Sequence, residues 1–81
     1  MKIEFSNQSL KFLKRLEDSL RTRIIQKLKE NPIPSDARFI RRENNEKVFR
    51  IRIGKIRVLY KIKEAEKIIL VSKIDKRERV Y

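Results

Sequence analysis

The chain has 81 residues, 40% of them apolar and 42% charged, which allows one globular domain with a small core and little hydrophobic surplus. It contains no Cys and no His, which rules out disulfides, thiolate metal sites and imidazole acid–base chemistry. Lys and Arg outnumber Asp and Glu 23 to 11, and the net charge of +12 favours a polyanionic partner: nucleic acid, an anionic membrane or an acidic protein.

The opening Met1–Phe5 lacks the apolar run of a signal peptide, so a soluble cytoplasmic protein is expected. Lys2–Phe5 alternates, with Ile3 and Phe5 on one face, and reads as a strand. Ser6 or Asn7 can cap a following helix. Leu10, Leu13, Leu16 and Leu20 recur at three- or four-residue spacing beside Phe12, a helical stripe. Asp18 or Ser19 offers a second cap, and Ile24, Ile25 and Leu28 carry the pattern to about Glu30. The two prolines of Asn31-Pro32-Ile33-Pro34 stop it. This region is therefore an αα-hairpin or one kinked helix.

The remainder is β-like. Arg38-Phe39-Ile40 is a weak strand and Glu43–Glu46 a turn. Val48–Ile53 and Ile56–Lys63 are strands joined at Gly54-Lys55, where the chain's one glycine suits the positive φ of a hairpin turn. After a turn at Glu64–Glu66, Lys67–Ile74 forms a further strand, and Asp75–Tyr81 is a polar tail. The run Ile68–Val71 is apolar on both faces, as in a strand that is central or covered on both sides. It is too short to span a bilayer. The order β-α-α-β-β-β-β predicts an α+β fold with helices on one face of a sheet.

Hairpin geometry then sorts the side chains. With Gly54-Lys55 as the loop, Ile53 faces Ile56, Arg52 faces Arg57, Arg50 faces Leu59 and Phe49 faces Tyr60. Alternation puts Phe49, Ile51, Ile53, Ile56, Val58, Tyr60 and Ile62 on a core face. Arg50, Arg52, Arg57, Leu59, Lys61 and Lys63 fall on the other. A like-charge pair such as Arg52–Arg57 destabilises a sheet. Such a face makes chemical sense where an anion docks, because guanidinium forks match phosphate oxygens. Charge is biased the same way: residues 1–40 carry nine Lys/Arg and five Asp/Glu, residues 41–81 fourteen and six.

Three stretches in order, Phe49-Arg50-Ile51-Arg52, Ile56-Arg57-Val58-Leu59-Tyr60 and Lys76-Arg77-Glu78-Arg79-Val80-Tyr81, resemble the RelE branch of the RelE/ParE toxin superfamily. The likeness covers essentially the whole chain as one domain, residues 1–81. It implies a strand and αα-hairpin packed on a twisted, mainly antiparallel sheet of four to five strands. It also implies a ribosome-dependent mRNA endonuclease of a type II toxin–antitoxin pair, working by 2′-hydroxyl attack without metal or other cofactor. The implied catalytic residues are Arg57, Arg77 and Tyr81, with Tyr81 as base and Arg77 aiding the leaving 5′-oxygen. Arg50 and Arg52 match basic positions that are often Lys in the family, and Lys61 and Arg79 join them as expected RNA contacts. The implied partners are the ribosome, mRNA and an acidic RelB-like antitoxin, with two toxins and two antitoxins in a heterotetramer and no membrane. A non-catalytic, ParE-like inhibitor of DNA gyrase is the alternative. A plain RNA-binding module fits less well, because aromatics are only 7% of the chain and none alternates with the basic face to stack on bases.

Overall fold

The computed structural model describes residues 1–76. Among them, β1 (Lys2–Phe5) is followed by α1 (Asn7–Arg15), α2 (Asp18–Glu30), β2 (Arg38–Glu43), β3 (Glu46–Ile53), β4 (Ile56–Lys63) and β5 (Ile68–Lys76). The strands form one sheet in the order β1-β5-β4-β3-β2. Its neighbours are antiparallel except β1 and β5, the first and last strands, which run parallel. The α+β order expected from the residues is the one observed. None of the described helices is long and apolar enough to cross a membrane.

Helix α1 starts because Ser6 accepts the Ser9 backbone N–H on its Oγ at 3.1 Å. The two helices are separate, and Leu16 and Glu17 make the corner. Arg21 closes that corner: its Nη1 lies 2.7 Å from the Leu16 carbonyl and 3.3 Å from that of Leu13, supplying donors to the open end of α1. Neither Asp18 nor Ser19 caps α2. The capping position is Glu17, whose side chain makes no capping bond, and Asp18 sits in the first turn as an ion-pair partner of Arg21. Leu10 departs from the expected stripe, being 40% exposed, while Ser9 is fully buried.

Ser9 faces inward because β1 ends at Phe5, leaving the outer edge of β5 without a strand partner beyond Val71. The start of α1 takes over that edge. The Ser9 hydroxyl is 2.9 Å from the Val71 carbonyl, and Ser6 Oγ donates to the Ser72 carbonyl at 2.8 Å. Gln8 then pairs with Ile74 like a strand, donating to its carbonyl at 3.0 Å and accepting its N–H at 3.2 Å. Backbone groups at an uncovered edge otherwise recruit other chains or lose hydrogen bonds.

The core lies between the helices and one face of the sheet. Leu13, Ile24 and Leu28 meet Ile51, Val58, Tyr60, Ile69, Val71 and Ile74. All seven residues assigned to the hairpin's core face are buried, and each expected cross-strand pair is present. Strand β5 is interior along its apolar run, flanked by β1 and β4, with Ile69 and Val71 in the core and Ile68 and Leu70 half-buried on the other face. Its bounds differ from expectation. Lys67 has φ 57° and belongs to the turn, whereas Asp75 and Lys76 extend the strand rather than opening a tail.

Tyr60 ties the core to the proline-rich loop: its ring is fully buried and its hydroxyl donates to the Pro32 carbonyl at 2.7 Å. Burial, helped by the nearby Asp36 charge, pushes its pKa from 10.0 up to about 12. Below pH 10 the phenol is neutral folded and unfolded, and its contribution to stability is complete. Between there and pH 12 the unfolded chain gives up the proton first, and stability falls by up to ~2–3 kcal/mol. Thermal melts should therefore show Tyr60→Phe less stable than wild type at neutral pH, with the gap shrinking on the alkaline limb. A gap independent of pH would show that this phenol titrates at its ordinary value.

Candidate active site

With both helices on one face, the opposite face of β2–β5 is covered by no other described element and carries the cations of the hairpin. Register sets their neighbours. Arg50 lies between Arg38 of β2 and Leu59 of β4, and Arg57 lies between Arg52 of β3 and Asp75 of β5. Two β-bulges complete the site. In β5, Leu59 pairs with Lys73 and Tyr60 with Val71, so Ser72 is the extra residue. It switches the parity of the strand: Val71 and Ile74, three residues apart, both enter the core, and Lys73 and Asp75 turn to the open face. In β2, Phe39 pairs with Phe49 and Arg41 with Val48, so Ile40 is extra and Arg41 shares the open face.

These residues line an open cleft of about 220 Å³ formed by Ile40, Arg41, Arg50, Arg57, Leu59, Lys73 and Asp75. Four of the seven are cations and one is a carboxylate. A second depression of about 260 Å³, lined by Asp36, Arg38, Arg50 and Arg52, adjoins it at Arg50. The two outline a path along the sheet with Arg50 in the middle.

Ion pairs hold several of these groups. Arg57 donates from Nε to Asp75 Oδ1 at 3.2 Å, and Lys73 Nζ lies 4.0 Å from Asp75 Oδ2. Beside the cleft, Glu43 bridges Lys61 at 2.9 Å and Arg41 at 2.6 Å. The Lys61 and Arg41 hydrogen bonds hold its carboxyl below the usual carboxylate range. Both bridging cations come from residues paired with Val48, which explains why this valine, on the polar face, is only 2% exposed. Arg50 makes no ion pair with a described residue, and a guanidinium fork of this kind matches the oxygens of a phosphate.

Of the residues singled out in the sequence, the structure brings Arg50 and Arg57 into one cleft, puts Arg52 in the adjoining depression and engages Lys61 with Glu43. Arg77, Arg79 and Tyr81 lie outside the described residues. Arg41, Lys73 and Asp75 were not anticipated. Pairing Lys67–Ile74 against Ile56–Lys63 signals Lys73 only once the bulge at Ser72 is allowed for, and Asp75 lies beyond that expected strand.

The family profile described as ParE toxin of the type II toxin–antitoxin system matches residues 3–81. The chain belongs to this family of toxins. Within it the RelE type is indicated by a RelE1 toxin from Methanocaldococcus jannaschii, 39% identical over 98% of this chain and 92% of the relative. Solved structures share the toxin's fold. A chain of the archaeal RelE–RelB complex from Pyrococcus horikoshii matches with a TM-score of 0.82 and 24% identity, over 98% of this chain and 97% of that one. The isolated Escherichia coli RelE toxin matches with a TM-score of 0.72 and 20% identity, over 98% and 86%.

Proposed function

We propose that this toxin is a metal-independent endoribonuclease, a single RelE-like domain over residues 1–81, that cleaves mRNA in the ribosomal A site and so blocks translation. The observation that supports this reading most is the cleft itself, where cations from four adjacent strands line one open cleft of about 220 Å³. In the reaction the ribose 2′-oxygen attacks the adjacent phosphorus and gives up its proton. The O2′–P bond forms, the P–O5′ bond breaks, and the products are a 2′,3′-cyclic phosphate and a protonated 5′-hydroxyl. Arg57, with Arg50 or Arg52, neutralises the charge gathered on the phosphorane-like transition state. Preorganised charge of this kind is commonly the largest catalytic contribution. Tyr81 is assigned as the base that takes the 2′-proton, a role that guanidinium groups close to its phenolate would favour. Arg77 is assigned to charge on the leaving 5′-oxygen, and Lys61 and Arg79 to the RNA backbone. The role given to Arg77 is electrostatic, since a guanidinium hardly releases a proton.

The partner that silences the toxin is an acidic RelB-like antitoxin, in keeping with the net charge of +12 and with the Pyrococcus toxin's complex with RelB. A heterotetramer of two toxins and two antitoxins in the cytoplasm completes the proposal. Primer extension on mRNA incubated with the toxin, with and without programmed ribosomes, tests it. Cuts confined to the ribosome-bound message are expected. Intact message in both, together with inhibited DNA gyrase, would replace this reading with the ParE-like one, which the family profile keeps open.

A further inference from the structure

One carboxylate stands inside a cleft otherwise suited to anions. Asp75 lines it with Arg41, Arg50, Arg57 and Lys73, and its position there depends on the bulge at Ser72. For binding a polyanion alone this is the wrong charge in the wrong place, because it repels phosphate and neutralises part of the field that attracts it. Nor is an ion pair at this depth a strong source of stability: the Arg57 side chain is 36% exposed and that of Asp75 33%.

What the contact does is directional. Asp75 takes the Nε–H of Arg57, the one donor on the inner edge of the guanidinium. The two terminal amino groups, with four of the five N–H donors, keep no partner among the described residues. A guanidinium gripped at Nε loses rotational freedom about its last side-chain bonds, so its remaining fork is held in a fixed plane before substrate arrives. Asp75 lies directly across from Arg57 on β5, the side opposite Arg52 of β3, so the grip at Nε comes from the β5 side.

We propose that Asp75 is a positioning residue that aims Arg57 at the scissile phosphate, improving the transition state at the expense of RNA affinity. The inference rests on the ribonuclease reading and adds a group to it. Removing the charge should then separate rate from binding. In single-turnover cleavage on programmed ribosomes, Asp75→Asn is expected to lower the maximal rate by ~10-fold or more, through lost orientation. It should also lower the toxin concentration needed for half-maximal rate, through lost repulsion. In an Arg57→Ala background the same change is expected to alter the maximal rate by less than ~2-fold, because residues acting as one unit are not additive. Asp75→Glu, which keeps the charge but shifts its reach, should recover part of the rate with no gain in affinity; it carries the test if the Asn variant melts early.

A wild-type rate in both Asp75 variants, with the parent toxin active, overturns this inference and leaves the ribonuclease reading intact. A further loss in the Arg57→Ala background also overturns it, since Asp75 would then act on substrate directly. A parent toxin that leaves ribosome-bound message whole overturns both.

Discussion

Replacing Arg57 with alanine is expected to slow cleavage of ribosome-bound mRNA by ~10²–10³-fold, the usual cost of deleting one preorganised donor to a developing negative charge. Of the described cations this one combines the most constraints. It lines the cleft, its Nε is fixed by Asp75, and its neighbours across the sheet are set by register on both sides. Arg57→Lys keeps the charge and loses the fork, so an intermediate rate is expected. The fold should survive both changes, since exposed or half-exposed substitutions usually alter stability by no more than ~0.5 kcal/mol. Single-turnover rates and melting curves, measured together, separate loss of chemistry from loss of fold. A rate within ~2-fold of wild type in Arg57→Ala would leave the transition-state role without support.

Ile24→Ala should have the largest effect on stability. Helix α2 contributes two fully buried side chains to the core, Ile24 at 0% and Leu28 at 1% exposure, with Leu20 partly buried beside them, so Ile24 is one of the few residues that anchor it to the sheet. Truncating a buried isoleucine to alanine typically costs ~2–5 kcal/mol, through lost transfer energy and the cavity left behind. A chain of 81 residues has a total stability of only about 4–12 kcal/mol to lose from. At roughly 4–8 °C per kcal/mol for a domain of this size, melting should fall by about 8–40 °C. Circular dichroism melts at neutral pH give the answer. A drop of less than ~1 kcal/mol would mean that the site collapses around the alanine, and that α2 is held mainly by its loop through Tyr60 and Pro32.

The hairpin is readable because two simple regularities agree there. A two-residue turn at Gly54, with φ 61°, fixes the pairing, and strict alternation then assigns every side chain to a face. Arg50 and Arg57 reach the right face by that route alone. Where alternation breaks, the same reasoning fails. Ile40 and Ser72 are ordinary strand residues, and nothing in their chemistry announces a bulge, yet each reverses the parity of the residues after it. Arg41, Lys73 and Asp75 are therefore out of reach of the pattern, and β2 looks to end at Ile40 when it runs to Glu43. The second helix start is misplaced when capping residues are sought locally. The corner is closed instead by Arg21 reaching back to the carbonyls of the first helix, a contact set by the angle between the helices. The family resemblance rests on motifs spread over the chain, which is why the overall architecture is legible while the detailed lining of the cleft is not.

The parallel pairing of the first strand with the last has a bearing on how the protein is born. Ser6 and Ser72 are bonded neighbours although 66 positions separate them, and the amino-terminal segment gains its sheet partner only when the final strand has emerged from the exit tunnel. Contacts of such long sequence separation slow folding, since loop closure precedes any reward. The same late strand delivers Lys73 and Asp75 to the arginine face. Nascent chains in which that strand has not emerged therefore lack both a finished sheet and a finished arginine face.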